Sequence, residues 1–250
     1  MARAERPVAL VTGSATGVGR SCVLRFARAG YDVIVNYSRS ETEARETLAE
    51  AAQAGARTLL AQCDVGHDVQ VQNMLRSVEA EFGRLDVLVN NAATTWFIEH
   101  QDLDALSEDK WDRILQVNLK GPFFCTRAAV PLLRKSGGGA IVNVSSVAGV
   151  SGEGSSIAYA ASKGALNTMT RSLARALGPN IRVNAVCPGP IETRWLKAVM
   201  SDDELRQRTS KFPLQRAAQP EDIADTIFYL AAETTLTTGQ CLVVDGGRTM

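Results

Sequence analysis

The chain lacks what metal sites and disulfide frameworks are built from. Its two histidines, His67 and His100, have no cysteine or acidic cluster at ligand spacing, so no structural zinc is expected. Its five cysteines, Cys22, Cys63, Cys125, Cys187 and Cys241, are scattered and form no CxxC pair. That points to a reducing compartment without disulfides. Long apolar runs are missing too. The first, Val8–Val11, is far too short for a signal peptide or a membrane span, and a cytoplasmic protein is the expectation. Nor is there an excess of one charge: 27 basic and 27 acidic residues give a formal net charge of zero. No long-range field draws in nucleic acid or an anionic membrane, and neither is expected as a partner. Any bound anion must be held by local geometry.

What the chain has is alternation. Val8–Val11, Asp32–Tyr37, Thr58–Cys63, Asp86–Asn90, Ala140–Ser145, Ile181–Cys187 and Cys241–Val244 read as strands. They are nearly continuous apolar runs, as in parallel strands covered on both faces. Helical patterns lie between them, at Val18–Ala29, Glu41–Ala54, Val69–Phe82, Ser107–Arg134, Ile157–Leu177 and Glu221–Ala231. Pro122 and Pro131 predict a kink or break in the fourth of these. The expected fold is α/β: one Rossmann-type domain over 1–250, a doubly wound parallel sheet of about seven strands with helices on both faces. Two stretches, Ala93–Leu106 and Pro188–Ala218, fit no regular slot. Both leave the C-terminal ends of strands, where such sheets bind ligands, so 188–218 is expected to be a substrate loop or lid.

Thr12-Gly13-Ser14-Ala15-Thr16-Gly17-Val18-Gly19 follows the first strand and opens the first helix. Gly13 allows the tight exit. Gly17 and Gly19 remove side chains where backbone must approach a pyrophosphate and where helix packs on sheet. The helix N-terminus offers free N–H groups to phosphate. A dinucleotide site is therefore expected here. The second strand should then choose the cofactor. It ends Asn36-Tyr37-Ser38-Arg39 with no carboxylate, whereas an acid there would select NAD. Ser38 and Arg39 suit a 2′-phosphate, so NADP(H) is favoured and NAD(H) stays open. After the third strand, Asp64, next to Val65, either bonds the adenine amino group or caps the following helix.

Tyr159-Ala160-Ala161-Ser162-Lys163 puts a phenol and an ammonium on one helix face. A nearby cation favours phenolate, which suits a tyrosine acid/base. Ser145-Ser146 lies at the C-terminal end of the fifth strand, ahead of that helix, and offers a hydroxyl to point a substrate oxygen toward the tyrosine. Asn118 lies in an apolar helical stretch, where it is costly unless hydrogen-bonded; it either holds a water beside the lysine or satisfies a helix kink.

Together the glycine turn, Asn90-Asn91-Ala92, Asn118, Ser146, the YxxxK pair and Pro188-Gly189 resemble the short-chain dehydrogenase/reductase family over essentially the whole chain. The ending Gly239–Gly247 is similar to that of its 3-oxoacyl-acyl-carrier-protein reductases. The resemblance implies hydride transfer between a nicotinamide cofactor and a small-molecule carbonyl or alcohol. It implies a tetrad in which Tyr159 is the acid/base and Lys163 lowers its pKa and bonds the nicotinamide ribose. Ser146 would position the substrate oxygen, and Asn118 would hold a relay water. Asn91 and the backbone after it would line the adenosine side. Pro188 and Gly189 would shape the nicotinamide pocket, and Ile191 and Thr193 would reach the carboxamide. A homotetramer is implied as well.

Two positions depart from the family pattern. Ala93 stands where glycine is usual after Asn91-Ala92, and Thr16 stands where many NADP-dependent members carry arginine. Two rival functions remain at this point: an NAD-dependent sugar, polyol or steroid dehydrogenase, and a catalytically silent nucleotide sensor on the same fold. The substrate walls are expected from Thr94–Phe97, from Ser151–Ile157 with Glu153 as a polar contact, and from an apolar lid of Trp195, Leu196, Val199 and Met200.

Overall fold

The computed structural model describes residues 6–250. Seven strands, β1 (Val8–Val11), β2 (Asp32–Tyr37), β3 (Thr58–Gln62), β4 (Val87–Asn90), β5 (Gly139–Val144), β6 (Ile181–Pro188) and β7 (Cys241–Val244), form one sheet in the order β3-β2-β1-β4-β5-β6-β7. Every neighbouring pair is parallel. The order reverses between β1, which pairs β2 on one side, and β4 on the other. A crevice opens at the strand ends there.

The period-two alternation of the strands feeds two cores. Ala9, Val11, Val33, Val35, Val87 and Val89 face the side covered by α1 (Gly17–Arg28), α2 (Glu41–Gln53) and α10 (Pro220–Phe228). Val8, Leu10, Ile34, Leu88 and Ile141 face the side covered by α3 (Asp68–Phe82) and α5 (Gly121–Lys135). A one-residue slip of any central strand would exchange these sets.

The expected helix over Ser107–Arg134 is three pieces. α4 (Glu108–Leu115) runs into a π turn, Gln116–Lys120, and then into α5. The cause is Pro122. It has no N–H to offer the Asn118 carbonyl four residues back. The Gly121 N–H bonds the Gln116 carbonyl five residues back instead. Pro131 breaks nothing; it lies inside α5. A second π turn, Tyr229–Glu233, extends α10. The stretch after β6 carries two short helices, α8 (Arg194–Lys197) and α9 (Asp202–Thr209). Ser201 and Glu204 form a capping box at the start of α9, which satisfies two orphan N–H groups of a helix with few buried residues.

Candidate active site

The crevice at the reversal point is a cleft of about 520 Å³, within the usual range for ligand sites. Its floor at one end is the glycine turn. Thr12 anchors that turn: its Oγ1 accepts the N–H groups of Asn91 and Ala92, each at 3.0 Å. The Asn91 Nδ2 donates to the Thr12 and Gly13 carbonyls at 2.9 Å. Gly13 has φ +61°, and a Cβ there would stand 2.8 Å from the Ala92 Cα. Thr16, in extended backbone, makes no side-chain cap on α1. The first N–H groups of that helix are thus available to an anion.

Ser14 and Gly19 lie behind this wall rather than in it. Ser14 is fully buried, and its Oγ accepts the Asn36 N–H at 3.0 Å. At Gly19 a Cβ would stand 2.5 Å from the Asn91 Nδ2 and 2.6 Å from the Gly13 carbonyl. Asn36 is spoken for as well. Its Oδ1 accepts the Gly13 N–H at 2.9 Å, and its Nδ2 donates to the Ala61 and Cys63 carbonyls at 3.1 Å. It clamps the turn to β2 and β3 while lining the cleft. Tyr37, Ser38 and Arg39 continue that end. Arg39 has no ion pair among the described residues. Asp32 is remote, as expected, and accepts the Arg57 N–H at 2.8 Å.

Asp64 lines the cleft beside Val65. It does not cap α3, whose cap position is His67. Its carboxylate accepts from the Gly66 N–H at 2.9 Å and from Arg113 at 2.7 Å. Burial pushes its pKa up, but these bonds outweigh that and hold it below the usual carboxylate range.

At the other end, after the short α6 (Ala148–Ser151), helix α7 (Ile157–Leu177) starts with a buried N-cap, Ser156, whose Oγ accepts the Tyr159 N–H at 3.3 Å. That fixes Tyr159 in the first turn and Lys163 one turn on. The Ser146 hydroxyl neighbours the Tyr159 phenol and favours its ionised form, while its Oγ accepts the Ala148 N–H at 3.1 Å. Ser145 serves a different end: its hydroxyl is buried and donates to the Lys163 carbonyl at 3.2 Å. Lys163 is 2% exposed, and its Nζ donates to the Val144 carbonyl at 2.7 Å. It lies 5.6 Å from the centre of the Tyr159 ring. Burial pulls the ammonium down to about 8.

The expected depression of the Tyr159 pKa is not found. Burial pushes the phenol above its ordinary value, and the neighbouring Ser146 hydroxyl offsets only part of this. Burial is the largest influence on both groups, and Lys163 spends a donor on backbone.

Asn118 is fully buried, off the cleft wall. Its Oδ1 accepts the Thr94 N–H at 2.8 Å; its Nδ2 donates to the Thr94 carbonyl at 3.0 Å and to Ser162 Oγ at 3.1 Å. The side chain is a clip between the β4–α4 loop and α7. Its main-chain carbonyl lacks the usual helical donor, because Pro122 has no N–H.

Pro188, Gly189, Ile191 and Thr193 line the cleft with Ala93. Gly189 is close-packed: a Cβ would stand 2.8 Å from the Asp245 Cβ. The substrate walls are narrower than expected. Thr94, Trp96 and Trp195 reach the cleft. The Thr95 hydroxyl instead bonds Ser155 Oγ at 2.6 Å, tying two loops together. Glu153 is paired to Arg248 at 2.5 Å. Val199 and Met200 line a separate hollow on α9. Arg113 and Arg194 reach the cleft too; no motif marks either in the sequence.

The family model described as "Enoyl-(Acyl carrier protein) reductase" matches residues 13–249. A protein of Streptomyces violaceoruber described as ketoacyl reductase 2 of the granaticin polyketide synthase is 44% identical, over 97% of this chain and 96% of its own. The 3-oxoacyl-[acyl-carrier-protein] reductase of Staphylococcus aureus is 39% identical, over 97% and 98%. A solved structure from Burkholderia xenovorans, described as a short-chain dehydrogenase/reductase, superposes with a TM-score of 0.92 at 41% identity and covers 98% of each chain.

Proposed function

Because the chain belongs to the short-chain dehydrogenase/reductase family, we propose that it is an NADPH-dependent reductase of a ketone or 3-oxoacyl thioester. That it is a nicotinamide-dependent carbonyl reductase rests on those relatives, and they favour neither a sugar, polyol or steroid dehydrogenase nor a silent sensor. The observation that carries the site assignment is one cleft with a glycine turn and unpaired Arg39 at one end and Tyr159, Ser146 and Lys163 at the other.

The cleft fits a dinucleotide: glycine at 13 and 17 keeps the turn bare of side chains, and the α1 N-terminus is uncapped by Thr16. Ser38 and Arg39 would hold the adenosine 2′-phosphate. Asn91 to Ala93 and Pro188 to Thr193 would line the two faces of the cofactor. The nicotinamide supplies the hydride. Ser146 holds the carbonyl oxygen beside the phenol, and Tyr159 gives it a proton. A raised pKa keeps that proton on Tyr159 until the oxyanion develops. The Lys163 ammonium then stabilises the phenolate left behind. Lys163 would then pass a proton to the phenolate, and a water held by the Asn118 carbonyl would replace it from solvent.

The range 188–218 would act as the substrate lid of a single domain. Exposed Leu242 and Val243 on the edge strand β7, and exposed Phe123 on α5, support a homotetramer. Free cysteines support a cytoplasmic setting; no helix among the described residues is long and apolar enough to cross a membrane.

The test is oxidation of NADPH and NADH with a panel of ketones that includes a 3-oxoacyl thioester. Faster turnover with NADPH is expected, and loss of turnover with intact cofactor binding in Tyr159→Phe. Faster turnover with NADH would refute the phosphate site. Near-normal turnover of the variant would refute Tyr159 as the proton donor.

A further inference from the structure

One side chain crosses the cleft. Arg194 opens α8, directly after Thr193. Its Nη2 donates to Ser40 Oγ at 3.1 Å, and its Nη1 donates to Glu43 Oε1 at 3.2 Å. Ser40 precedes α2, and Glu43 lies in its first turn. The arginine therefore joins the nicotinamide side of the cleft to the segment just past Arg39. Arg194, Ser38, Arg39 and Ser40 line the same cleft.

The charges at that corner are unequal. Glu41 is already neutralised by Arg45, at 2.7 Å and four residues on. Arg39 has no ion pair among the described residues. Glu43 is held by Arg194, and without it would present a bare carboxylate to any anion bound at Ser38 and Arg39. The Arg194–Glu43 pair is half-exposed, so it is weak and exchangeable. A phosphate dianion is the stronger partner for a guanidinium fork.

We propose that Arg194 is a second phosphate arginine, carried by the lid, which leaves Glu43 for the 2′-phosphate and so makes lid closure specific to the phosphorylated cofactor. This rests on the NADPH reading above. It gives Glu43 the opposite role: the carboxylate competes with the phosphate for the same guanidinium. A simple strap across the cleft would behave differently, since removing either end of a strap loosens it alike.

The opposite signs are the test. The full-length protein and its Arg194→Gln and Glu43→Gln variants are titrated calorimetrically with adenosine 2′,5′-bisphosphate and with adenosine 5′-monophosphate. Arg194→Gln should weaken the bisphosphate about tenfold and leave the monophosphate nearly unchanged. Glu43→Gln should bind the bisphosphate more tightly than the wild type does. Weakening in both variants, or equal weakening of both nucleotides in Arg194→Gln, would make Arg194 a strap and overturn the proposal. So would undiminished preference for the bisphosphate in Arg194→Gln. A wild type that binds the two nucleotides alike would instead sink the NADPH reading itself, and this inference with it.

Discussion

Replacing Lys163 by methionine should make the fold more stable at neutral pH and less stable at pH 10. Lys163 is buried, and its pKa falls from 10.5 in the unfolded chain to about 8. Between those values the unfolded state binds more protons than the folded state. Wild-type stability from this group therefore rises with pH through that window, and the penalty is fully present below it. One pKa unit corresponds to about 1.4 kcal/mol, so the penalty is roughly 3 kcal/mol at pH 7 and roughly 1 kcal/mol at pH 10. The Lys163→Met side chain carries no such penalty. It does leave the Val144 carbonyl without its 2.7 Å donor, at a cost of about 1–3 kcal/mol. The balance at pH 7 favours the variant by about 1 kcal/mol, and at pH 10 it favours the wild type by a similar amount. Urea unfolding of both proteins at equal concentration and pH 7, 8.5 and 10, without cofactor, reads this directly. Taking the difference cancels the titrating groups that do not sense Lys163. A gap that does not move with pH would refute the desolvated ammonium. Carbonyl reduction should be lost in the variant at every pH.

The same site sets other expectations. Reduction should be flat with pH below about 8 and fall roughly tenfold per pH unit above it, as Lys163 loses the charge that stabilises the Tyr159 phenolate; the oxidation rate should rise over the same range. A reduction rate that climbs from pH 7 to 9 would be the contrary result. Gly19→Ala should cost about 1–3 kcal/mol by overpacking, because its methyl meets Asn91 and the Gly13 carbonyl, and NADPH binding, followed by fluorescence titration, should weaken as Asn91 is displaced. Asn118→Ala should lose about 2 kcal/mol, since it strands both Thr94 backbone groups, and should raise the substrate KM; an unchanged melting temperature would argue that the clip is dispensable.

The sheet was legible because each strand is a run of apolar residues bounded by turn residues. Ile181 to Cys187, for example, admits no amphipathic helix. Gly13, Gly17, Tyr159 and Lys163 were legible because their meaning lies in short spacings. What stayed hidden depends on distant partners. An amide in an apolar helical stretch marks Asn118 as expensive to bury, but its acceptor and donor on Thr94 lie 24 residues away. Arg194 finds Glu43 across 151 residues, and nothing beside it in the chain foretells that. Pro122 announced a break without locating it, because the break falls on the residue whose carbonyl it cannot serve. The direction of the Tyr159 shift was missed for a related reason: spacing reveals the cation nearby, while the depth of burial that opposes it comes only from the packed fold.

Asn118 grips Thr94 by its main chain alone. The amide reads no side chain at that position, so the loop that lines the cleft with Thr94 and Trp96 is held in place whatever residues it displays. Thr94 and Trp96 can therefore vary without disturbing the proposed proton machinery on α7, to which Ser162 ties the same amide. Selection, or a designer, can re-cut the wall residue by residue while the catalytic geometry is inherited unchanged.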